Sequence, residues 1–233
     1  MRMAIFDVDG TLTNTNDIDL RCYVRALKDT FAIDAPDLNW TDYRHVTDIG
    51  ITNEVLEQHF GRPPTHSEVA QLRDRLIELF DEALAQEPGL VTEIAGAQRL
   101  LDRLRASADW AVGLATGCWE ASARWKLRAA GVVADDLPAA FSEDGVSREE
   151  IVTAALRKTS AAYGRDDFEA RVSVGDGSWD VRTAANLELA FVGVRVGGDP
   201  GALRRLGARH VLTDYADLEA AVHALGNAVP PNM

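Results

Sequence analysis

The chain has 233 residues, 46% hydrophobic and 26% charged, which fits one large globular domain or one domain carrying an insertion, and gives no support to disordered, collagen-like or disulfide-scaffold readings. Thirty-seven acids against twenty-four bases leave a net charge of -13, a field that repels phosphate backbones and anionic lipid; it argues against nucleic-acid and membrane partners and means that an anionic substrate needs local cations. No apolar run approaches the ~18 residues of a membrane span, the opening residues are too acidic for a signal peptide, and Cys22 and Cys118 form no CxxC spacing, so a cytoplasmic protein without a disulfide framework or thiolate metal site is expected.

The first buried strand is expected over residues 3–6, a short apolar run that stops at Asp7. The string Asp7-Val8-Asp9-Gly10-Thr11-Leu12-Thr13 sets two acids two apart where a strand runs out, with Gly10 able to take a sharp turn. One acid can attack while the other exchanges protons. An isolated Asp-Gly is an ordinary turn; the whole string points beyond that. Residues 14–88 break the rhythm of strand and helix. They show helical spacing, as at Leu72, Leu76, Leu79, Phe80 and Leu84, and read as an inserted helical domain. Pro63-Pro64 separates two of its helices, and Pro88-Gly89 marks the return to a core made of residues 1–13 and 89–228. In the polar stretch before Ile49-Gly50, Arg44, His45, Thr47 and Asp48 are candidate substrate contacts; the alternative is a solvated loop.

After a helix marked by Ala97, Leu100, Leu101 and Leu104, a second strand is expected over residues 111–115, stopping at Thr116. Thr116-Gly117 offers a hydroxyl and loop N–H groups at the start of a helix containing Ala121, Trp125 and Leu127, a place that attracts phosphate and is also an ordinary N-cap. Lys126 adds a cation on that helix, although a lone helical lysine is most often solvent-exposed. A third strand over residues 171–174 runs into Gly175-Asp176-Gly177-Ser178-Trp179-Asp180, two acids four apart before a helix beginning near Val181; taken alone, they are a turn residue and an N-cap. Strands over residues 190–196 and, more weakly, 209–212 follow, then a helix marked by Leu218, Ala221, Val222 and Leu225 and a loose tail over residues 229–233.

This alternation predicts an α/β fold, an open parallel sheet covered on both faces. Ligands of such sheets bind beyond the carboxyl ends of the strands, so Asp7, Thr116 and Asp176 are expected to converge on one crevice. Four carboxylates gathered in one cleft of an acidic protein call for a divalent cation, and oxygen-only donors suit Mg²⁺.

Asp7 to Thr13, then Thr116-Gly117, Lys126, and Gly175-Asp176 followed by Asp180 resemble the four ordered motifs of the haloacid dehalogenase superfamily. The resemblance implies a Rossmann-like core with an all-helical cap inserted between the first two motifs. It implies Asp7 as nucleophile, Asp9 as acid and base, and Mg²⁺ held by Asp7, the Asp9 main-chain carbonyl and Asp176. Thr116, Gly117 and Lys126 would hold the phosphoryl oxygens; Gly10, Thr11 and Asp180 would support them, Asp180 by orienting Lys126 or metal-bound water. Asp9, two residues after Asp7, resembles phosphatases and phosphomutases rather than dehalogenases. In place of the Lys-Pro that many relatives carry before a later helix stands Ser147-Arg148. Ala123-Arg124-Trp125-Lys126-Leu127 resembles a phosphoglycolate phosphatase-like subgroup with its lysine on the earlier helix, so Lys126 is the preferred cation and Arg148 the reserve. Gly177-Ser178-Trp179 replaces the Thr-Pro usual in the fourth motif. The expected activity is Mg²⁺-dependent hydrolysis of a small phosphorylated metabolite; a phosphomutase would use the same residues, and a non-catalytic binding protein could be built on the same fold.

Overall fold

The structure, a computed structural model, describes residues 1–34 and 38–232. Residues 35–37, inside the expected insertion, and Met233, the end of the expected tail, lie outside the described residues. Six strands, β1 (Arg2–Phe6), β2 (Trp110–Ala115), β3 (Ala139–Ala140), β4 (Arg171–Gly175), β5 (Ala190–Val194) and β6 (His210–Leu212), form one sheet in the order β3-β2-β1-β4-β5-β6. Every pairing in it is parallel. The order reverses at β1, so the loops leaving β1 and β4 diverge and open a crevice between them, the usual ligand position in a doubly wound sheet.

Both faces of the sheet are buried, which is why its strands read as unbroken apolar runs rather than alternating ones. Along β1, Ala4 and Phe6 join one apolar cluster while Met3 and Ile5 join the other. The first is covered by α4 (Ala97–Arg105), α5 (Glu120–Ala129) and α9 (Leu218–Gly226), the second by α6 (Arg148–Tyr163), α7 (Ser178–Asn186) and α8 (Gly201–Arg205). β3 was not expected, because two residues carry no periodicity. β5 ends at Val194, two residues short of the expected 196, and Val196 is exposed. The tail is not loose over its described part: Phe191 N–H donates to the Val229 carbonyl at 3.1 Å and Asn232 N–H to that of Gly207 at 3.3 Å.

The stretch after the first motif folds as α1 (Asn16–Phe31), α2 (Asp48–Phe60) and α3 (His66–Gln86), around a third apolar cluster that includes Ile18, Leu27, Leu56, Leu72 and Phe80. Thr65 and Glu68 close a reciprocal capping box at the start of α3, just after Pro63-Pro64. Two core tryptophans, Trp119 and Trp125, complete this cluster. Trp125 stacks on Phe80 with ring centroids 4.9 Å apart, and its indole N–H donates to Asp81 at 2.7 Å. The two connections to these helices run side by side: Asn14 N–H donates to the Thr92 carbonyl and Ile94 N–H to that of Leu12, each at 2.9 Å. Among the described residues, no helix is long and apolar enough to cross a membrane.

Candidate active site

The end of β1 and the end of β4 are locked together by backbone before any side chain is considered. Asp7 N–H donates to the Val174 carbonyl at 2.9 Å, and the Val8 carbonyl accepts from Leu12 and Thr13 N–H, folding the first motif into a tight loop. Gly10 takes φ +67°, and a Cβ there would collide with the Asp176 carboxylate, so only glycine lets this loop close against β4. As a result Asp7, Asp176 and Asp180 each place a carboxylate oxygen within 4.8 Å of the other two. Asp176 Oδ2 accepts from Asn16 Nδ2 at 2.9 Å, while its buried Oδ1 has no hydrogen-bond partner among the described residues. Asp180 Oδ2 accepts from Gly177 N–H at 2.9 Å, which fixes it at the start of α7.

The two candidate cations divide these acids between them. Arg148, at the start of α6, places Nη1 3.2 Å from Asp7 Oδ1 and 3.5 Å from Asp180 Oδ1, and its Nε–H donates to the Val46 carbonyl at 2.8 Å. Lys126 is fully buried; its Nζ lies 2.9 Å from Asp9 Oδ1, 2.6 Å from Asp19 Oδ1 and 3.2 Å from Cys118 Sγ. Lys126, expected among the holders of the phosphoryl oxygens, thus pairs with Asp9 and Asp19, and Asp180 meets Arg148, the reserve cation. Arg148 stands beside Asp7, because α6 starts across the crevice whereas α5 aims Lys126 at the far side of Asp9. Asp9 also accepts from Thr15 Oγ1 at 2.5 Å and from Cys118 Sγ at 2.9 Å.

The other expected residues are distributed unevenly. The cleft is lined by Asp7, Asp9, Asp176, Gly117, Cys118, Arg148 and Trp179 from the core, and by Asn16, Asp19, Trp40, Val46, Thr47, Asp48 and Ile51 from the helical insertion. Thr116 does not line it: its hydroxyl accepts from Cys118 N–H at 3.2 Å and shapes the loop. Thr11 is buried away from it, its hydroxyl without a partner among the described residues. Thr47 does line the cleft, but its hydroxyl is used in capping α2 through Gly50 N–H and in donating to the Val146 carbonyl. Arg44 and His45 line an adjoining pocket that shares Val46, Arg148 and Trp179 with the cleft. Asp48 joins insertion to core, its N–H donating to the Gly117 carbonyl at 2.7 Å and its Oδ2 accepting from Trp119 N–H at 2.8 Å. Asn16 and Asp19 were not singled out from the sequence; their spacing of three at the start of a helix, directly after the first motif, puts them on one face and was the available signal.

A family model described as haloacid dehalogenase-like hydrolase matches residues 4–194. The chain belongs to that family. The Protein CbbY of Rhodobacter capsulatus is 30% identical over 112 residues, 46% of this chain and 47% of the relative, so the match spans about half of that protein's length. A hydrolase from Pseudomonas syringae superposes with a TM-score of 0.72 at 24% identity, covering 97% of this chain and 99% of that one. A family hydrolase from Deinococcus radiodurans, solved with bound phosphate and sodium, superposes with a TM-score of 0.54 at 22% identity, covering 100% and 99%. These structural likenesses establish the fold.

In this haloacid dehalogenase-like hydrolase the acids resist ionisation together. Burial, then the neighbouring charge of Asp180, pushes Asp7 up to about 7 against the pull of Arg148. Burial and the charge of Asp7 push Asp176 to about 7, and burial raises Asp180 to about 6 although Arg148 opposes it. Asp9 goes the other way: burial pushes it up, but Lys126 together with the hydrogen bonds from Cys118 and Thr15 outweighs burial and holds it below the usual carboxylate range. Raised, crowded carboxyls with one orphaned buried oxygen on Asp176 fit a hard divalent cation, and the donor set contains only oxygen.

Proposed function

We propose that the protein is a Mg²⁺-dependent phosphatase that hydrolyses a small phosphate monoester through an aspartyl-phosphate on Asp7. The observation that carries this reading is the meeting of Asp7, an unpartnered Asp176 oxygen and the Arg148 guanidinium at the strand ends, with Asp9 two residues from Asp7. Asp7 Oδ attacks phosphorus in line and the ester oxygen departs. Asp9 gives that oxygen a proton and then takes one from the water that attacks the acyl phosphate. Lys126 disfavours a proton on Asp9; the approach of a dianionic phosphoryl group favours it, so Asp9 gains proton affinity as substrate enters. Arg148 and the Gly117 N–H, which has no acceptor among the described residues, hold the phosphoryl oxygens, and Thr116 shapes the loop that presents Gly117. Asp7, Asp176 and the Asp9 main-chain carbonyl would hold Mg²⁺, which when bound supplies positive charge for both the nucleophile and the phosphoryl group. The insertion closes over the leaving group as a cap and excludes water.

The test is release of free phosphate from p-nitrophenyl phosphate with Mg²⁺ by the purified protein and by Asp7→Asn. Turnover by the protein and its loss in Asp7→Asn is the expected result; a variant near the parent rate removes Asp7 as nucleophile.

A further inference from the structure

The wall that the insertion contributes to the cleft narrows the substrate. Asp19, Asp48, Trp40 and Ile51 belong to it. Asp48 is buried and accepts Trp119 N–H through Oδ2, while its Oδ1 accepts from no group among the described residues. Asp19 meets Lys126 Nζ through Oδ1, and its Oδ2 likewise has no donor among the described residues. Of the described residues lining the cleft, the one lysine or arginine is Arg148, which sits beside Asp7 and Asp180 at the phosphoryl end, where the reading above commits it, and so is not a second cation for the leaving group. Lys126 lies behind the wall, held by Asp9 and Asp19.

We propose, resting on the phosphatase reading above, that the cleft takes phosphate monoesters whose short alcohol portion carries hydroxyl or amino donors and no negative charge, with Asp19 and Asp48 as the residues that exclude anionic leaving groups. A carboxylate or second phosphate pressed against this wall loses its hydration and meets carboxyl groups instead of a counter-charge, which is costly. A hydroxyl or ammonium donates to the open oxygens of Asp19 and Asp48, and the bond is strong where the acceptor is ionised, as Asp19 is beside the Lys126 ammonium and as Asp48 becomes once pH exceeds its raised value of about 8. Trp40 adds an aromatic surface against which the carbon chain or an ammonium can rest. The cations that could serve an anion, Arg44 and Arg182, line the adjoining pocket and not the cleft. Short leaving groups therefore read out the wall itself.

The experiment compares phosphate release from phosphoglycolate, 2-hydroxyethyl phosphate and 2-aminoethyl phosphate, three esters of similar length, with p-nitrophenyl phosphate as the common reference, at one Mg²⁺ concentration and at pH 9, above the value of about 8 to which burial raises Asp48. The expected kcat/KM for the hydroxyethyl and aminoethyl esters is at least about tenfold above that for phosphoglycolate, the scale of a like-charge contact inside a binding site. Asp48→Asn and Asp19→Asn each shrink that ratio at least about threefold. Phosphoglycolate used within twofold of the hydroxyethyl ester, or a ratio unchanged in both variants, overturns the proposal while turnover of p-nitrophenyl phosphate leaves the phosphatase reading standing. No release from any ester overturns that reading and the proposal with it. If Asp48→Asn fails to fold because Trp119 N–H loses its acceptor, the comparison on the parent protein and on Asp19→Asn decides.

Discussion

Arg148 Nη1 lies 3.2 Å from Asp7 Oδ1 although 141 residues separate the two in sequence. The contact depends on a close approach, since a Cβ on Gly117 would stand 2.9 Å from the guanidinium. If Asp7 is the nucleophile, as proposed, a donor fixed beside it can follow charge onto the phosphoryl oxygens, and loss of one such donor costs about a hundredfold to a thousandfold in rate. Arg148→Ala is therefore expected to lower kcat/KM for p-nitrophenyl phosphate by that factor. Arg148→Lys should recover part of it, because an ammonium restores the charge but cannot reach Asp7, Asp180 and Val46 from one planar fork. A loss under threefold in Arg148→Ala would return the role to another cation.

Lys126 has a different weight. Its Nζ is enclosed by Asp9, Asp19 and Cys118, and Phe80 presents its ring face 5.5 Å away. Lys126→Met keeps the volume and leaves two partly buried acids without their cation, a change that costs about 3 kcal/mol, the lower end for a broken buried pair. Urea unfolding measures it, and Lys126→Met combined with Asp19→Asn is expected to regain part of the loss. Equal midpoints for Lys126→Met and the parent would show that the pair carries no net stability.

Trp125 is one of the residues through which the helical insertion docks on the core. Trp125→Ala removes a ring stacked on Phe80 and should cost about 3 to 5 kcal/mol. Trp125→Phe keeps most of the packing and removes the hydrogen bond to Asp81, for about 1 kcal/mol. Limited proteolysis between residues 87 and 96 reports whether the insertion has loosened, and Trp125→Ala should be cut faster than Trp125→Phe.

Acidity and metal binding are linked through the raised carboxyls. Asp7 and Asp176 titrate at about 7, Asp180 at about 6 and Asp48 at about 8, each driven up mainly by burial. A carboxyl raised in the folded state binds more protons there than in the unfolded chain, so its contribution is complete below the unfolded value near 4 and is lost as pH rises through the folded value. Asp19 is raised to about 6 as well, and the carboxyls that are held low, Asp9 among them, are ionised in both states above pH 5 and add little slope there. Thermal unfolding in a chelator is thus expected to show Tm falling from pH 5 to pH 8. Added Mg²⁺ should raise Tm more at pH 8, where the carboxylates are ionised and free to bind it, than at pH 5. An equal metal effect at both pH values would mean that these acids are not the ligands.

Much of this architecture is written locally. Strands buried on both faces had to be apolar at each position, so β1, β2, β4 and β5 could be read as runs, and the residues that ended them, Asp7, Thr116 and Asp176, marked the carboxyl edge of the sheet. The spacing of Leu72, Leu76, Leu79 and Phe80 likewise fixed a helix and the face it buries. What local pattern could not carry was the pairing of charges across the crevice. Lys126 and Arg148 are each a lone cation near the start or end of a helix, and only the register of β1 against β4 and the placement of α5 and α6 decided that one faces Asp9 and Asp19 and the other Asp7 and Asp180. The same holds for Asp19 and Asp48, polar residues in a helical stretch whose burial follows from the insertion folding down onto the core. Periodicity reports on neighbours within a few positions, whereas a charge's partner is set by how whole elements pack, and for the cation beside Asp7 that packing overrode the local signal.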